Sequence, residues 1–223
     1  MKYRLTDETL EVGTVILHRI ECVEAFSDVK TGDKGGWIEK ESNLSQENGA
    51  WVYDEAKVFG NAWVCNEAQV FEHAKVSGNA WVCEHAQVYG DAWIYGDARV
   101  FEYARVCDDA NVSDNAWIYG GAGVFGYAEV FEDAKVCGTA VVRGYARIRG
   151  NAKISYTSDY IVFLNNFSSG RYFTWTKSDD MWTVGCFHGT GEQLIEKARR
   201  DDEVKAKCYA LYVKLVEDLQ KIE

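Results

Sequence analysis

Proline is absent from the 223 residues, and methionine (two) and histidine (four) are scarce. Without proline, the corners of the chain fall to Gly, Asn and Asp, which tolerate left-handed backbone. Basic residues are in deficit too: 24 Lys and Arg against 35 Asp and Glu give a formal charge of −11. An acidic body argues against general nucleic-acid binding, where phosphate contacts supply most of the affinity. No apolar run is long enough to span a membrane, and no secretory h-region stands at the start. A CxxC pair, a phosphate loop, a nucleophile elbow and a metal cluster are all missing, so no cofactor and no metal is expected. The seven cysteines are an odd number, and Cys65, Cys83, Cys107 and Cys137 share a slot with Phe, Tyr and Ser. That usage reads as small apolar residues in a reduced, cytoplasmic protein and not as a disulfide framework.

What the chain does have is a count of six. Alanine stands at every sixth position from Ala50 to Ala152, and a Val or Ile follows two residues after each, giving 18 uninterrupted units. Residues two apart in an extended segment face the same side, so Ala62 and Val64 point one way while Trp63 and Cys65 point the other. The next two residues, such as Gly60-Asn61 or Gly90-Asp91, carry the chemistry of a corner. Each hexad therefore reads as a four-residue strand and a corner. A single strand of this kind cannot bury its apolar side, so the units must coil and stack.

Residues 58–75 and 76–93 agree at 11 of 18 aligned positions. A superperiod of 18 means three strands per coil, hence a triangular prism of about six coils. The corner column Asn61, Asn79, Asp97, Asn115, Asp133 and Asn151 recurs at the same interval. This pattern resembles the hexapeptide-repeat, left-handed parallel β-helix superfamily, whose best-known members are trimeric acyltransferases; the left hand is implied by the resemblance. The stretch GGWIEKESNLSQENGAWVYDEAKVFGNAWV (35–64) further resembles poorly characterised phage, prophage and gut-bacterial hexad-repeat proteins. Those pair a short N-terminal β segment with repeats and a helical tail.

The ends follow from the same logic. Residues 1–35 read as an N-terminal β segment, with strands over Thr9–Val12 and Thr14–Ile20. Residues 36–157 form the β-helix, with Ile38 and Leu44 in the alanine register of a degenerate first coil. Residues 158–223 hold strands at Tyr160–Leu164, Arg171–Thr176 and Met181–Phe187 and then two helices. Thr190 and Gln193 have the capping-box form for the first helix. Val204, Cys208, Leu211, Tyr212, Leu215 and Leu219 share one face of the second, which is expected to dock on the prism or on a partner.

Outward columns supply the candidate sites. Trp63, Trp81, Arg99 and Trp117 stack at the 18-residue interval, a cation–π arrangement, with Lys135 and Lys153 continuing the column. Such ladders also stabilise solenoids without any ligand. Residues 50–134 carry four basic and 14 acidic side chains, with Asp97, Asp108, Asp109 and Asp114 in the middle coils. Residues 135–157 carry five basic ones and no acid: Lys135, Arg143, Arg147, Arg149 and Lys153. This basic collar is expected to receive the acidic turn Asp201-Asp202-Glu203, or else to bind an anion such as a nucleotide phosphate. His73 and His85 occupy corners outside any recognisable catalytic motif, and His188 stands close to Cys186.

On these grounds the chain is expected to be a non-enzymatic interaction protein of phage or prophage type in a bacterial host cell. It would inhibit a defence system, as an anti-CRISPR does, through its acidic surface or by sequestering a ligand. A protein partner, and a homodimer or homotrimer, fit that expectation. The alternative is a hexapeptide-repeat acyltransferase using coenzyme A or another acyl donor, with a histidine as general base.

Overall fold

Every alanine of the repeat from Ala50 to Ala152 is at most 1% exposed, and the Val or Ile two residues on is fully buried. Stacking these pairs builds one continuous apolar column inside the chain. A computed structural model describes residues 1–222. Three strands open it: β1 (Tyr3–Val12), β2 (Val15–Cys22) and β3 (Lys34–Ile38). Eighteen two-residue strands follow, from β4 (Trp51–Val52) to β21 (Lys153–Ile154). Each pairs in parallel with the strand 18 residues away, which gives three sheets and thus the faces of a triangular prism. The regular strands are shorter than four residues, yet the ladder is continuous: Trp63 donates to the Ala80 carbonyl at 2.9 Å and Cys65 to Val82 at 3.0 Å.

The first coil differs from the expected register. Ile38 pairs with Val58 and Leu44 bridges to Val64, a separation of 20 residues instead of 18. Both therefore fill the valine column, not the alanine one, because two extra residues lie in the corner between Leu44 and Val52. Gly36 lets β3 approach here, since a Cβ on it would sit 2.7 Å from the Ala56 carbonyl oxygen.

The corners are strictly regular. The first corner position, from Asn48 through every sixth residue to Gly150, has positive φ in all eighteen cases, nine of them glycine. Four are glutamates (72, 84, 102 and 132), a residue type that gains nothing from left-handed backbone by itself. The acid groups of Glu72 and Glu132, with those of Asp54, Asp108 and Asp114, reach the next coil. Glu72 accepts the Gly90 N–H at 2.8 Å, Asp108 that of Gly126 at 2.9 Å, Asp114 that of Glu132 at 3.0 Å, and Glu132 that of Gly150 at 2.8 Å. Part of the prism's acidity is thus a set of corner clamps.

Both open ends of the stack are covered, as exposed ladder groups require. At the start, Asn43 donates to the carbonyls of Gly60 (3.1 Å) and Ala62 (2.8 Å), and the Lys2 ammonium donates to Ala50 at 2.7 Å. Burial draws that ammonium's pKa down to about 8. At the far end four hydroxyls accept backbone N–H groups of the last coil: Thr157 from Val141, Tyr160 from Arg143, Thr174 from Arg147 and Ser178 from Lys153.

Those hydroxyls belong to the C-terminal cap. Its antiparallel sheet runs in the order β22 (Tyr160–Asn165), β23 (Arg171–Thr176), β24 (Met181–Val184) and β25 (Phe187–Gly189). Gly185, at φ 57°, breaks the single strand expected there into β24 and β25. Helix α1 (Gly191–Asp201) begins at Thr190, whose hydroxyl accepts the Gln193 N–H while Gln193 reaches back to the Thr190 N–H. Helix α2 (Glu203–Gln220) follows. The helices pack on this sheet and make a second core of Phe173, Trp182, Leu194, Tyr209 and Val213 among others. The buried face of α2 is Ala206, Tyr209, Val213 and Val216. The face expected to dock is covered only in part: Cys208 and Tyr212 pack against this core, whereas Val204, Leu211, Leu215 and Leu219 point to solvent, because Phe173 packs on Tyr209 and Tyr212. Among the described residues no helix is long and apolar enough to cross a membrane.

Candidate functional site

One prism face carries the aromatic column. Trp63, Trp81, Arg99, Trp117, Lys135 and Lys153 are successive partners in its parallel ladder. Trp63 and Trp81 meet edge to face at 5.4 Å, and both remain exposed. The Arg99 guanidinium lies 5.1 Å from the rings of both Trp81 and Trp117, and the Lys135 ammonium stands 5.0 Å over Trp117. Beside them Phe101 stacks on Tyr119 at 5.2 Å.

Two hollows follow this column and share Arg99 and Trp117. The first, about 300 Å³, is lined by Trp63, Trp81, Cys65, Cys83, Phe101 and Glu84. The second, about 600 Å³, is lined by Lys135 and Lys153 with the corner residues Asp97, Asn115, Asp133 and Asn151. The result is one groove, aromatic at one end and of mixed charge at the other, where Arg99, Lys135 and Lys153 outnumber Asp97 and Asp133. Cys65 and Cys83 are joined in a disulfide in the wall of the aromatic end. This corrects the reading of all seven cysteines as reduced. Parallel register puts the two Cα atoms 4.7 Å apart, within reach of a bridge, and their shared slot 18 residues apart was the signal in the sequence. The remaining five thiols are free.

The acidic candidates separate by role. Asp108 and Asp114 clamp corners as described, and Asp97 accepts the Asn79 amide at 2.9 Å within the corner ladder. Asp109 is exposed, and its backbone carbonyl takes the Asn111 amide.

The basic collar does not gather into one patch. Arg147 pairs with Glu129 at 2.8 Å and donates to the Gly185 carbonyl, tying the prism to the cap. Arg149 pairs with Glu132 and holds that carboxyl below its ordinary pKa. Both guanidinium groups lie over Phe131, at 5.3 and 5.0 Å. Only Lys135 and Lys153 line the groove. The acidic turn of the tail is occupied elsewhere: Asp201 holds Lys205 at 2.8 Å, Asp202 caps α2 at Val204, and Glu203 faces Arg199. The expectation that the collar receives this turn fails, because the helices rest on their own sheet.

Three of the four histidines were candidates, and each has a distinct setting. His73 and His85 are exposed corner residues, and His85 stacks on Tyr103 at 4.8 Å directly after the groove residue Glu84. His188 turns its Nδ1 to the Thr183 hydroxyl at 3.2 Å, while its Nε2 lies against Gly150. Among the described residues no three His, Cys, Asp or Glu side chains gather as metal ligands.

No family model matches the chain. Among curated proteins it is similar to the "Uncharacterized acetyltransferase YdcK" of Escherichia coli (strain K12). The two are 43% identical over 70 residues, 27% of this chain and 22% of that protein. The match thus spans only about a fifth of the relative's length. Stacked parallel coils together with this relative support the hexapeptide-repeat β-helix superfamily. The same finding overturns the expectation of a non-enzymatic, phage-type inhibitor: the relative is named for acyl-group chemistry, and nothing found points to phage or to defence.

Proposed function

We propose that the chain is a hexapeptide-repeat acyltransferase that takes its acyl group from coenzyme A. The observation that carries this reading is the similarity to a protein named as an acetyltransferase, in a chain whose own coils stack in parallel. The groove suits such a donor. From Trp63 to Lys153 it spans five rungs, roughly 24 Å at the 4.7 Å spacing seen between Cys65 and Cys83. Arg99, Lys135 and Lys153 offer charge to the donor's phosphates, and the aromatic end offers apolar surface to its thioester arm.

With the phosphates at the lysines, the acyl group falls near Cys65, Cys83 and Glu84. His85 then takes the role of general base. It removes the proton of the acceptor's hydroxyl or amine as that atom attacks the thioester carbonyl, and the coenzyme leaves as the thiol. Stacking on Tyr103 holds its ring in place.

The test is release of free thiol from acetyl-coenzyme A by the purified protein across amine and hydroxyl acceptors. His85→Ala should abolish release while leaving coenzyme binding intact, and His73→Ala should change neither. Thiol release that survives His85→Ala removes the base assignment; absence of any saturable coenzyme binding removes the whole reading.

A further inference from the structure

Helix α2 is apolar on two sides, and only one of them is packed. Val204, Leu211, Leu215 and Leu219 are 61, 69, 46 and 40% exposed. At 3.6 residues per turn they fall within an arc of roughly 80°, across the helix from the buried Tyr209 and Val213. Just past the helix end Ile222 is 80% exposed, so the stripe runs the full length of α2. It also widens at its N-terminal half. The Cys208 sulfur lies 4.0 Å from Asn165, and the turn that Asn165 closes through Ser168 carries Phe167, 83% exposed. Lone exposed leucines need no explanation, but a continuous stripe with an aromatic residue at its rim marks an interaction site.

We propose that this stripe is where a second copy of the chain docks, α2 against α2, antiparallel about a two-fold axis. Charge along the edge of the stripe selects that occupant and that direction. Lys207 lies on this edge in the N-terminal half, and Asp218 lies on the same edge near the C-terminus, where one carboxylate oxygen already holds Lys221 at 3.0 Å and the other stands 3.9 Å from Lys214. A two-fold interface sets residue i of one copy against j of the other and j against i. Antiparallel pairing centred near Tyr212 and Val213 places Lys207 across from Asp218 at both ends and Leu211 across from Leu215. Parallel pairing would instead carry this edge to opposite flanks of the two helices and leave Lys207 and Asp218 without a partner across the seam. The groove on the prism takes no part, so this interface stands apart from the proposed acyl transfer.

Sedimentation equilibrium of the full chain tests it. The wild type should be a dimer. Leu211→Glu combined with Leu215→Glu should give a monomer with the circular dichroism spectrum of the wild type, because both side chains are in solvent within one copy. Lys207→Glu and Asp218→Lys should each weaken the dimer about two- to fivefold, and the two together should restore it, as exposed ion pairs permit. A monomeric wild type overturns the proposal. So does an oligomer indifferent to Leu211 and Leu215, or a double charge variant no tighter than the single ones.

Discussion

At Glu132 glycine should be a better replacement than alanine, the reverse of the usual order in regular structure. Glu132 sits at φ 59°, where an L side chain costs about 1–2 kcal/mol relative to the right-handed regions. Glycine escapes that cost but surrenders roughly 0.5–1 kcal/mol of chain entropy on folding, leaving it ahead of alanine by about 0.5–1 kcal/mol. Both variants should be less stable than the wild type. Each loses the acceptor of the Gly150 N–H at 2.8 Å and the partner of Arg149. A charge-assisted hydrogen bond contributes about 1.5–3 kcal/mol, and the partial exposure of this pair favours the lower end. Urea unfolding with a common slope would give the three stabilities. The sign with pH is fixed by the lowered pKa of Glu132: its contribution is present above the ordinary carboxylate range and is lost as pH falls through the folded value. Alanine equal to or better than glycine would refute the corner argument, as would a variant stability that keeps the acid dependence of the wild type.

Ala116→Leu should destabilise by about 1–3 kcal/mol, and the melting temperature should drop by roughly 2–4 °C for each of those, since Ala116 is fully buried between coils. A melt equal to that of the wild type would mean that the alanines do not face inward. Lys2 offers a pH test at the other end of the stack. Its folded pKa near 8 lies below the ordinary 10.5, so the unfolded chain holds the proton more tightly and stability should rise between these values. Lys2→Met should abolish that component of the rise in paired melts, with the tyrosines common to both proteins cancelling.

The prism was legible because its signal is periodic. Inward Ala62 and Val64 repeat without exception, and an interval of 18 fixes three sheets before any coordinates. The left-handed corners were legible as a chemistry but not by residue type, since a glutamate at positive φ declares itself only through the N–H it accepts one coil above. Register failed at Ile38 and Leu44 because two extra residues hide in a corner with no hexad to count. The face of α2 was misread at four of its six residues for a related reason. Leucine and valine stripes lie on both sides of that helix, and Phe173 and Trp182, not spacing, decide which is buried. Of the candidate site, the Trp-Arg-Trp-Lys column followed from the period, whereas the dispersal of the collar depended on where the cap sheet sits. The disulfide had a visible signal, two cysteines 18 residues apart, that composition alone argued away.

Calorimetric titration of the full chain with acetyl-coenzyme A tests whether the groove from Trp63 to Lys153 holds the donor. Saturable binding is expected at one site per chain, weakened at least tenfold by Lys135→Glu with Lys153→Glu. Binding should also fall with added salt, because partly exposed lysines meet the phosphates. Arg143→Glu, on the adjacent face, should leave it unchanged. No saturable binding, or binding indifferent to Lys135 and Lys153, would contradict the account.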